Sequence, residues 1–186
     1  MTAHLQSRRR LGALSWLAAA LALAGCGPSS ATEPSPEIVE RDGEPAVVIY
    51  PSHDDAMKQA IADARGTVAG FVEALPELQA DETAYFAVKA PVPTRGETEH
   101  IWLDPVVHED GNFVGRFANE PISPELSFGE QYTLRVETVS DWMAVVDGVL
   151  YGGFTMYAMR DQLSPEARAE FERSIGFKMA EQPQGF

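Results

Sequence analysis

The segment DDAMKQAIADARGTVAGFVEAL, residues 54–75, decides the fold class predicted for this chain. Its apolar residues recur every three or four positions, so on an α-helix they form one stripe about 120° wide. Asp54 or Ser52 can cap the start of this helix, and Pro76 is expected to end it. The stripe therefore predicts an amphipathic helix with one face packed against a core. Its members are Met57, Ala60, Ile61, Ala64, Val68, Phe71, Val72 and Leu75.

Short β-prone segments bounded by turn residues follow this helix. Asp110-Gly111 and Asp147-Gly148 predict hairpin turns, because glycine tolerates positive φ. Ser164-Pro165-Glu166 begins a final helix that extends to about Ile175. The pattern predicts an α+β domain, with a small antiparallel meander sheet packed on an N-terminal amphipathic helix and with a C-terminal helix. The predicted strands are 46–50, 85–88, 100–103, 113–117, 132–138, 143–146 and 149–151.

The first 26 residues have the pattern of a bacterial export signal. Arg8-Arg9-Arg10 is followed by an apolar run over 11–24, which is shorter than the roughly 20 residues that a spanning helix needs. The run ends in Leu23-Ala24-Gly25-Cys26, which resembles the lipobox of bacterial lipoproteins, where the cysteine thiol receives a diacylglyceryl group. The alternative is an ordinary signal peptide with an incidental cysteine. Cys26 is the only cysteine, so the chain cannot form an internal disulfide.

The chain is expected to divide into four parts. Residues 1–25 form a lipoprotein signal peptide, and 26–45 form a disordered tether rich in proline, serine and acidic residues. Residues 46–177 form the single α+β domain, and 178–186 a frayed tail. The lipid on Cys26 would make the membrane a partner of this protein. We expect it in the cell envelope, on the outer membrane facing the periplasm if the source has two membranes.

Composition argues against one class of partner. The 186 residues carry a formal net charge of −14, and without the first 25 residues, which hold three arginines and no acid, the charge is −17. Such a surface repels the phosphates of nucleic acids, so no nucleic-acid binding is expected. A hydrophobic fraction of 45% is enough for a packed core.

Catalytic motifs are sparse. His100 and His108 could each be a general base or a metal ligand, but along a strand they would lie roughly 26 Å apart, too far to share a metal. The sequence contains no His-x-His, no His-Glu-x-x-His, no cysteine pair and no Gly-x-Ser-x-Gly elbow. Gly152-Gly153 lacks the lysine and spacing of a phosphate-binding loop. We therefore predict no catalytic residue, metal or cofactor.

One set of residues admits two interpretations. In the structural interpretation, Asn119 and Asp141 fix turns through local hydrogen bonds, and Trp102 and Trp142 pack in or beside the core. In the functional interpretation, the same set lines a ligand cleft. That candidate cleft comprises His100, Trp102, Asn119, Glu120, Asp141 and Trp142.

Several of these residues belong to motifs that occur in a definite order. The order resembles that of the YegJ-like bacterial domain-of-unknown-function family (DUF2314) over about residues 54–160. The resemblance implies a small α+β domain, often found in exported proteins, and supplies no established activity or catalytic residue. The motifs are Glu99-His100-Ile101-Trp102-Leu103, Gly111-x-Phe113-x-Gly115, Asn119-Glu120-Pro121, Asp141-Trp142-Met143, Asp147-Gly148 and Gly152-Gly153-Phe154-Thr155.

The sequence therefore predicts a non-catalytic envelope lipoprotein whose domain binds a protein partner or a small ligand. The alternative is an envelope enzyme of unassigned, hydrolytic chemistry. A compact pocket with convergent polar groups would favour the enzyme. A broad exposed apolar patch would favour the binding module.

Overall fold

The computed structural model describes residues 37–41, 44–49, 54–95 and 98–186, the first two ranges by their backbone alone. The predicted signal peptide and Cys26 lie outside the described residues. Within the described part of the chain, none of the helices is both long and apolar enough to cross a membrane.

A two-stranded antiparallel sheet precedes the main domain. It pairs β1 (Glu37–Arg41) with β2 (Glu44–Ile49). Residues 46–49 of the strand predicted at 46–50 belong to β2, and Tyr50 lies outside the described residues. The structure differs from the expected tether by placing strands at 37–41 and 44–45. The physical reason is that Ile38 and Val39 pair with Val48 and Val47, and such β-branched residues favour strands.

Helix α1 (Asp55–Ala80) follows the predicted periodicity. Asp54 is its cap, with Oδ1 accepting a hydrogen bond from the Met57 backbone N–H at 3.0 Å. The prediction that Pro76 ends the helix is wrong, because Pro76 lies inside it and α1 continues to Ala80. The extra turn buries Leu78 in the core, which offsets the hydrogen bond that proline cannot donate. The buried residues of α1 are Ala60, Ala64, Val68, Phe71, Leu75 and Leu78.

A six-stranded antiparallel sheet forms the centre of the domain, with strand order β6-β5-β4-β3-β7-β8. Both predicted turns are present, with Asp110 and Asp147 at φ of 48° and 52°. Residues 136–138 form a short 3₁₀-helix instead of the end of a strand. The strands are β3 (Tyr85–Pro93), β4 (Thr98–Glu109), β5 (Asn112–Phe117), β6 (Gln131–Arg135), β7 (Asp141–Val146) and β8 (Val149–Gly152).

Helices cover both faces of the sheet. Helix α1 packs on the face that carries Val88, Leu103 and Trp142. Helices α2 (Phe154–Asp161) and α3 (Pro165–Ser174) pack on the face that carries Ala87 and Met143. The α+β architecture is as predicted, and the sequence analysis missed only α2 among its helices. The side chains that α2, α3 and the following turn bury there are Met156, Tyr157, Phe171 and Ile175.

Residues 178–186 were expected to be frayed, but they are held against the domain. The Leu150 and Gly152 N–H groups of β8 donate to the carbonyls of Lys178 (2.9 Å) and Gln184 (2.7 Å). The Lys178 N–H in turn donates to the Gly148 carbonyl at 2.8 Å. Strand β8 is the edge of the sheet, so its outer N–H groups need acceptors from elsewhere, and this segment supplies them.

Candidate functional site

A row of three side chains crosses the sheet on the face that carries Met143. Lys89 on β3 lies opposite Trp102 on β4 and opposite Asp141 on β7. Directly opposite residues on neighbouring strands share a face of the sheet. The Lys89 ammonium nitrogen lies 5.4 Å from the centre of the Trp102 ring and 3.3 Å from the Thr155 hydroxyl. We call this row, with Thr155 and the neighbouring pair His100 and Ser140, the Lys89 cluster.

Asp141 is the most heavily bonded member of the Lys89 cluster. Its carboxylate is fully buried and accepts four hydrogen bonds. Oδ1 accepts from the backbone N–H groups of Trp142 (2.9 Å) and Phe154 (3.1 Å). Oδ2 accepts from the backbone N–H (2.8 Å) and hydroxyl (2.6 Å) of Thr155. Asp141 thereby caps α2, where the positive end of the helix dipole favours a negative charge.

The charges of Asp141 and Lys89 depend on each other. Burial raises the pKa of Asp141 to about 6, and the hydrogen bonds from Thr155 and the charge of Lys89 oppose that rise. Burial lowers the pKa of Lys89, and the charge of Asp141 opposes that fall. Asp141 is therefore ionised at neutral pH, and the half-buried Lys89 supplies the nearby positive charge that an internal carboxylate requires.

His100 and Ser140 form the second part of the cluster. The His100 Nδ1 lies 2.6 Å from the Ser140 Oγ, which is the contact that a general base makes with a nucleophile. Ser140, however, is fully buried, so a substrate cannot reach its hydroxyl in this conformation. The pair instead ties β4 to the residue before β7, and the Ser140 N–H also donates to the Lys89 carbonyl at 2.8 Å.

The imidazole of His100 is expected to make the domain sensitive to acid. Burial first, and then the charges of Lys89 and Arg65, lower the pKa of His100 to about 4. His100 is exposed at its outer surface, and water there offsets part of this effect. An unfolded histidine titrates near 6.5, so the unfolded state binds more protons between about pH 6.5 and 4. Stability contributed by neutral His100 is present above that window and is lost as the pH falls through it.

We predict that His100→Asn loses less stability than the wild type between pH 7 and pH 5, measured by thermal unfolding. The raised pKa of Asp141 acts in the opposite direction below pH 6, but it is common to both proteins and cancels in the comparison. His108→Asn, at an exposed position of the same strand, controls for the substitution itself. Identical pH dependence in wild type and His100→Asn would contradict the prediction.

The remaining residues of the candidate cleft lie in two different places. Asn119 is half-buried, and its Oδ1 accepts from the Trp102 backbone N–H at 3.0 Å, which fixes the loop after β5 against β4. Glu120 is exposed on the same loop. Trp142 lies on the opposite face of the sheet, where its Nε1 donates to the Ala64 carbonyl at 3.1 Å.

The structure thus brings His100, Trp102 and Asp141 onto one face, with Asn119 behind Trp102, and separates Trp142 from them. The sequence analysis missed Lys89, Ser140 and Thr155. The only available signal was Lys89, a single charge inside the otherwise uncharged strand β3. Among the described residues, no group of three or more histidine, cysteine or acidic side chains could hold a metal ion.

These features define a class of protein: a small α+β domain with a six-stranded antiparallel sheet, an N-terminal helix on one face and two short helices near its C-terminal end. A polar cluster with a buried, helix-capping aspartate lies within the sheet. The family model described as "uncharacterized protein conserved in bacteria (DUF2314)" matches residues 54–179. The chain belongs to this family.

Two curated relatives extend the comparison. The uncharacterized protein YegJ of Escherichia coli (strain K12) is 38% identical over 102 residues, which cover 54% of this chain and 65% of YegJ. A putative ankyrin repeat protein of Neisseria meningitidis serogroup B is 37% identical over 94 residues, which cover 48% of this chain and 37% of that protein. The chain therefore spans less than two thirds of either relative. No solved structure matches this chain.

Proposed function

We propose that this chain is an exported bacterial lipoprotein whose α+β domain is a non-catalytic binding module. The observation that supports a non-catalytic module is the internal use of the groups best suited to chemistry. All four hydrogen bonds of the Asp141 carboxylate go to the domain's own donors, and the Ser140 hydroxyl is buried against His100. Groups whose hydrogen bonds are all made within the domain stabilise the fold and are not presented to a substrate.

The location rests on the sequence before the domain. A basic start, a short apolar run and Leu23-Ala24-Gly25-Cys26 are the signals of lipid attachment at Cys26. One lipid-bearing cysteine would make the membrane the first partner of this protein. Gly27 after the cysteine, where an aspartate is absent, supports the outer membrane in a bacterium with two membranes.

We expect cells fed a radioactive fatty acid to label the wild-type protein and not Cys26→Ala. The variant should also leave the membrane fraction or remain uncleaved, because it lacks the thiol that accepts the lipid. Ser30→Ala, a few residues beyond the lipobox, is the matched control and should label like the wild type. Absence of label on the wild-type protein would end the lipoprotein proposal.

The alternative, a hydrolytic enzyme, is favoured by the 2.6 Å contact between Ser140 and His100. A fluorophosphonate probe, which reacts with activated serines, separates the two proposals. Under the binding proposal Ser140 stays unmodified, because its hydroxyl is buried. Stoichiometric modification of Ser140, lost in His100→Asn, would instead establish an enzyme. Crosslinking in intact cells tests the binding role directly, and a protein that forms no specific crosslink would contradict it.

A further inference from the structure

The segment 178–186, which we call the strap, lies in a groove that recognises its main chain. Two of the contacts are the N–H groups of Leu150 and Gly152 on β8, described above. A third comes from Arg160, whose side chain is almost fully buried. Its Nη1 and Nη2 donate to the carbonyls of Ala180 (2.9 Å) and Glu181 (3.0 Å).

The tyrosine next to Arg160 completes the main-chain contacts. The Tyr157 hydroxyl accepts from the Ala180 N–H at 3.0 Å, and the Arg160 guanidinium lies 4.6 Å from the Tyr157 ring centre. Strand β8 and Arg160 together donate to four carbonyls of the strap, and the Tyr157 hydroxyl accepts from one of its N–H groups. None of these contacts depends on which side chains the strap carries.

One side chain of the strap, Phe186, lies in a contact site of its own, which we call the Phe186 seat. Its ring stacks on Tyr151 with ring centres 5.0 Å apart and planes 10° apart, and on Trp142 at 5.7 Å and 28°. About half of the Phe186 residue remains exposed (49%). Gly70 on α1 gives the backbone room, since a Cβ there would lie 2.8 Å from the Phe186 carbonyl oxygen.

The seat continues beyond the Phe186 ring. A surface depression of about 190 Å³ lies beside it, lined by α1 residues and by Val146. When a domain binds a peptide, main-chain hydrogen bonds can supply affinity and a seat for one side chain can supply selectivity. Tyr157, Arg160 and the edge of β8 supply the first feature, and Tyr151 with Gly70 supplies the second.

We infer that this groove is a peptide-binding site, that its resident occupant is the strap, and that its partner in trans is a peptide that follows the bent course of the strap and carries an aromatic side chain at the position of Phe186. This inference rests on the binding role proposed above and is independent of the lipid anchor. The strap acts as a tethered competitor, because an intramolecular segment has a high effective concentration at its own site. A partner peptide therefore binds only when the strap is released.

The test uses the full-length protein purified in detergent and a fluorescent synthetic peptide, FKMAEQPQGF, which reproduces residues 177–186. We expect Phe186→Ala in the protein to bind this peptide at least about tenfold more tightly than the wild type in an anisotropy titration. The reason is that the variant weakens the competing strap without changing the groove. An unlabelled peptide that carries the same Phe186→Ala change should compete about tenfold more weakly than the parent peptide.

Matched variants test whether the groove is the site. Phe128→Ala removes a phenylalanine that is 61% exposed in another loop, so it should bind the peptide like the wild type. In the Phe186→Ala background, Gly70→Ala should weaken peptide binding because its Cβ meets the peptide backbone. Gly66→Ala, on the same helix with open space around it, should not. The two alanines raise helix propensity by similar amounts, so a difference between them reports the groove.

Equal peptide affinity for wild type and Phe186→Ala would overturn the inference, as would equal competition by the two peptides. The inference would also be overturned if the protein formed concentration-dependent dimers by exchanging straps and did not bind the free peptide. In that case the occupant of the groove would be the strap of a second copy of this chain. Cell crosslinks that persist unchanged in Phe186→Ala and Gly70→Ala, in the absence of peptide binding, would reject this groove and leave the proposed binding role standing. If the wild-type protein formed no specific crosslinks in cells, the proposed binding role itself would be rejected.

Discussion

Replacing Phe71 by alanine is expected to lower the free energy of unfolding by about 3–5 kcal/mol, the usual cost of truncating a core aromatic residue. Phe71 is fully buried at the centre of the α1 stripe. Its ring stacks on Trp142, with ring centres 4.9 Å apart, and lies 6.0 Å from Phe113 on β5. The substitution would leave a cavity between α1 and the sheet. Urea unfolding followed by circular dichroism measures the effect.

Lys58→Ala on the same helix is the control for Phe71→Ala. The Lys58 side chain is 55% exposed and forms an ion pair with the more exposed Asp55 at 3.1 Å. Exposed ion pairs of this kind contribute about 0–1 kcal/mol, so this variant should unfold close to the wild type. If both variants unfolded alike, the orientation of α1 on the sheet would be contradicted.

Asp141→Ala is expected to destabilise the domain by about 3–5 kcal/mol, because it removes a buried carboxylate that accepts four hydrogen bonds and leaves their donors unsatisfied. The change leaves the N–H groups of Phe154 and Thr155 without their acceptor at the start of α2. It also leaves the half-buried Lys89 without the carboxylate that balances its charge. Thermal unfolding measures the loss. Asp141→Asn should lose less, because its amide keeps one acceptor oxygen of the same shape.

Asn119→Ala serves as the comparison for Asp141→Ala, since it removes one acceptor from one backbone N–H, that of Trp102. Its expected cost is about 1–2 kcal/mol, so Asp141→Ala should melt well below it. Unchanged or raised melting in both variants would contradict a structural role. That outcome would instead favour the ligand-cleft interpretation, because binding sites are often built at the expense of stability.

Local patterns predicted much of the fold. The apolar stripe, the Asp54 cap and the Ser164 cap each depend on residues within a turn or two of one another, and all three are present. The two Asp-Gly turns fixed the hairpins on either side, because positive φ at both turn residues is a local requirement. Helix α2 was not predicted from the sequence. It begins after Gly153, whose backbone is in the left-handed conformation, and it is capped by the side chain of Asp141 on β7, which is distant in sequence.

The candidate cleft shows the same division between local and long-range information. The strand containing Trp102 could be predicted from its β-prone residues, but not its register, which places Lys89 between Trp102 and Asp141. A shift of one residue would turn Lys89 to the opposite face. Trp142 and Asp141 are neighbours in sequence, and for that reason they point to opposite faces of β7. Trp142 lies in the core between α1 and the sheet, and Asp141 caps α2.

The sequence by itself determined the helix stripe, the turns and the α+β class, because each is set by spacing along a short stretch of chain. Only the tertiary structure decided that α1 continues through Pro76, since that depends on the burial of Leu78 in the core. Only the tertiary structure likewise placed the strap on β8. The unpaired N–H groups of an edge strand and a buried Arg160 attract main-chain carbonyls whose positions no local sequence pattern reveals.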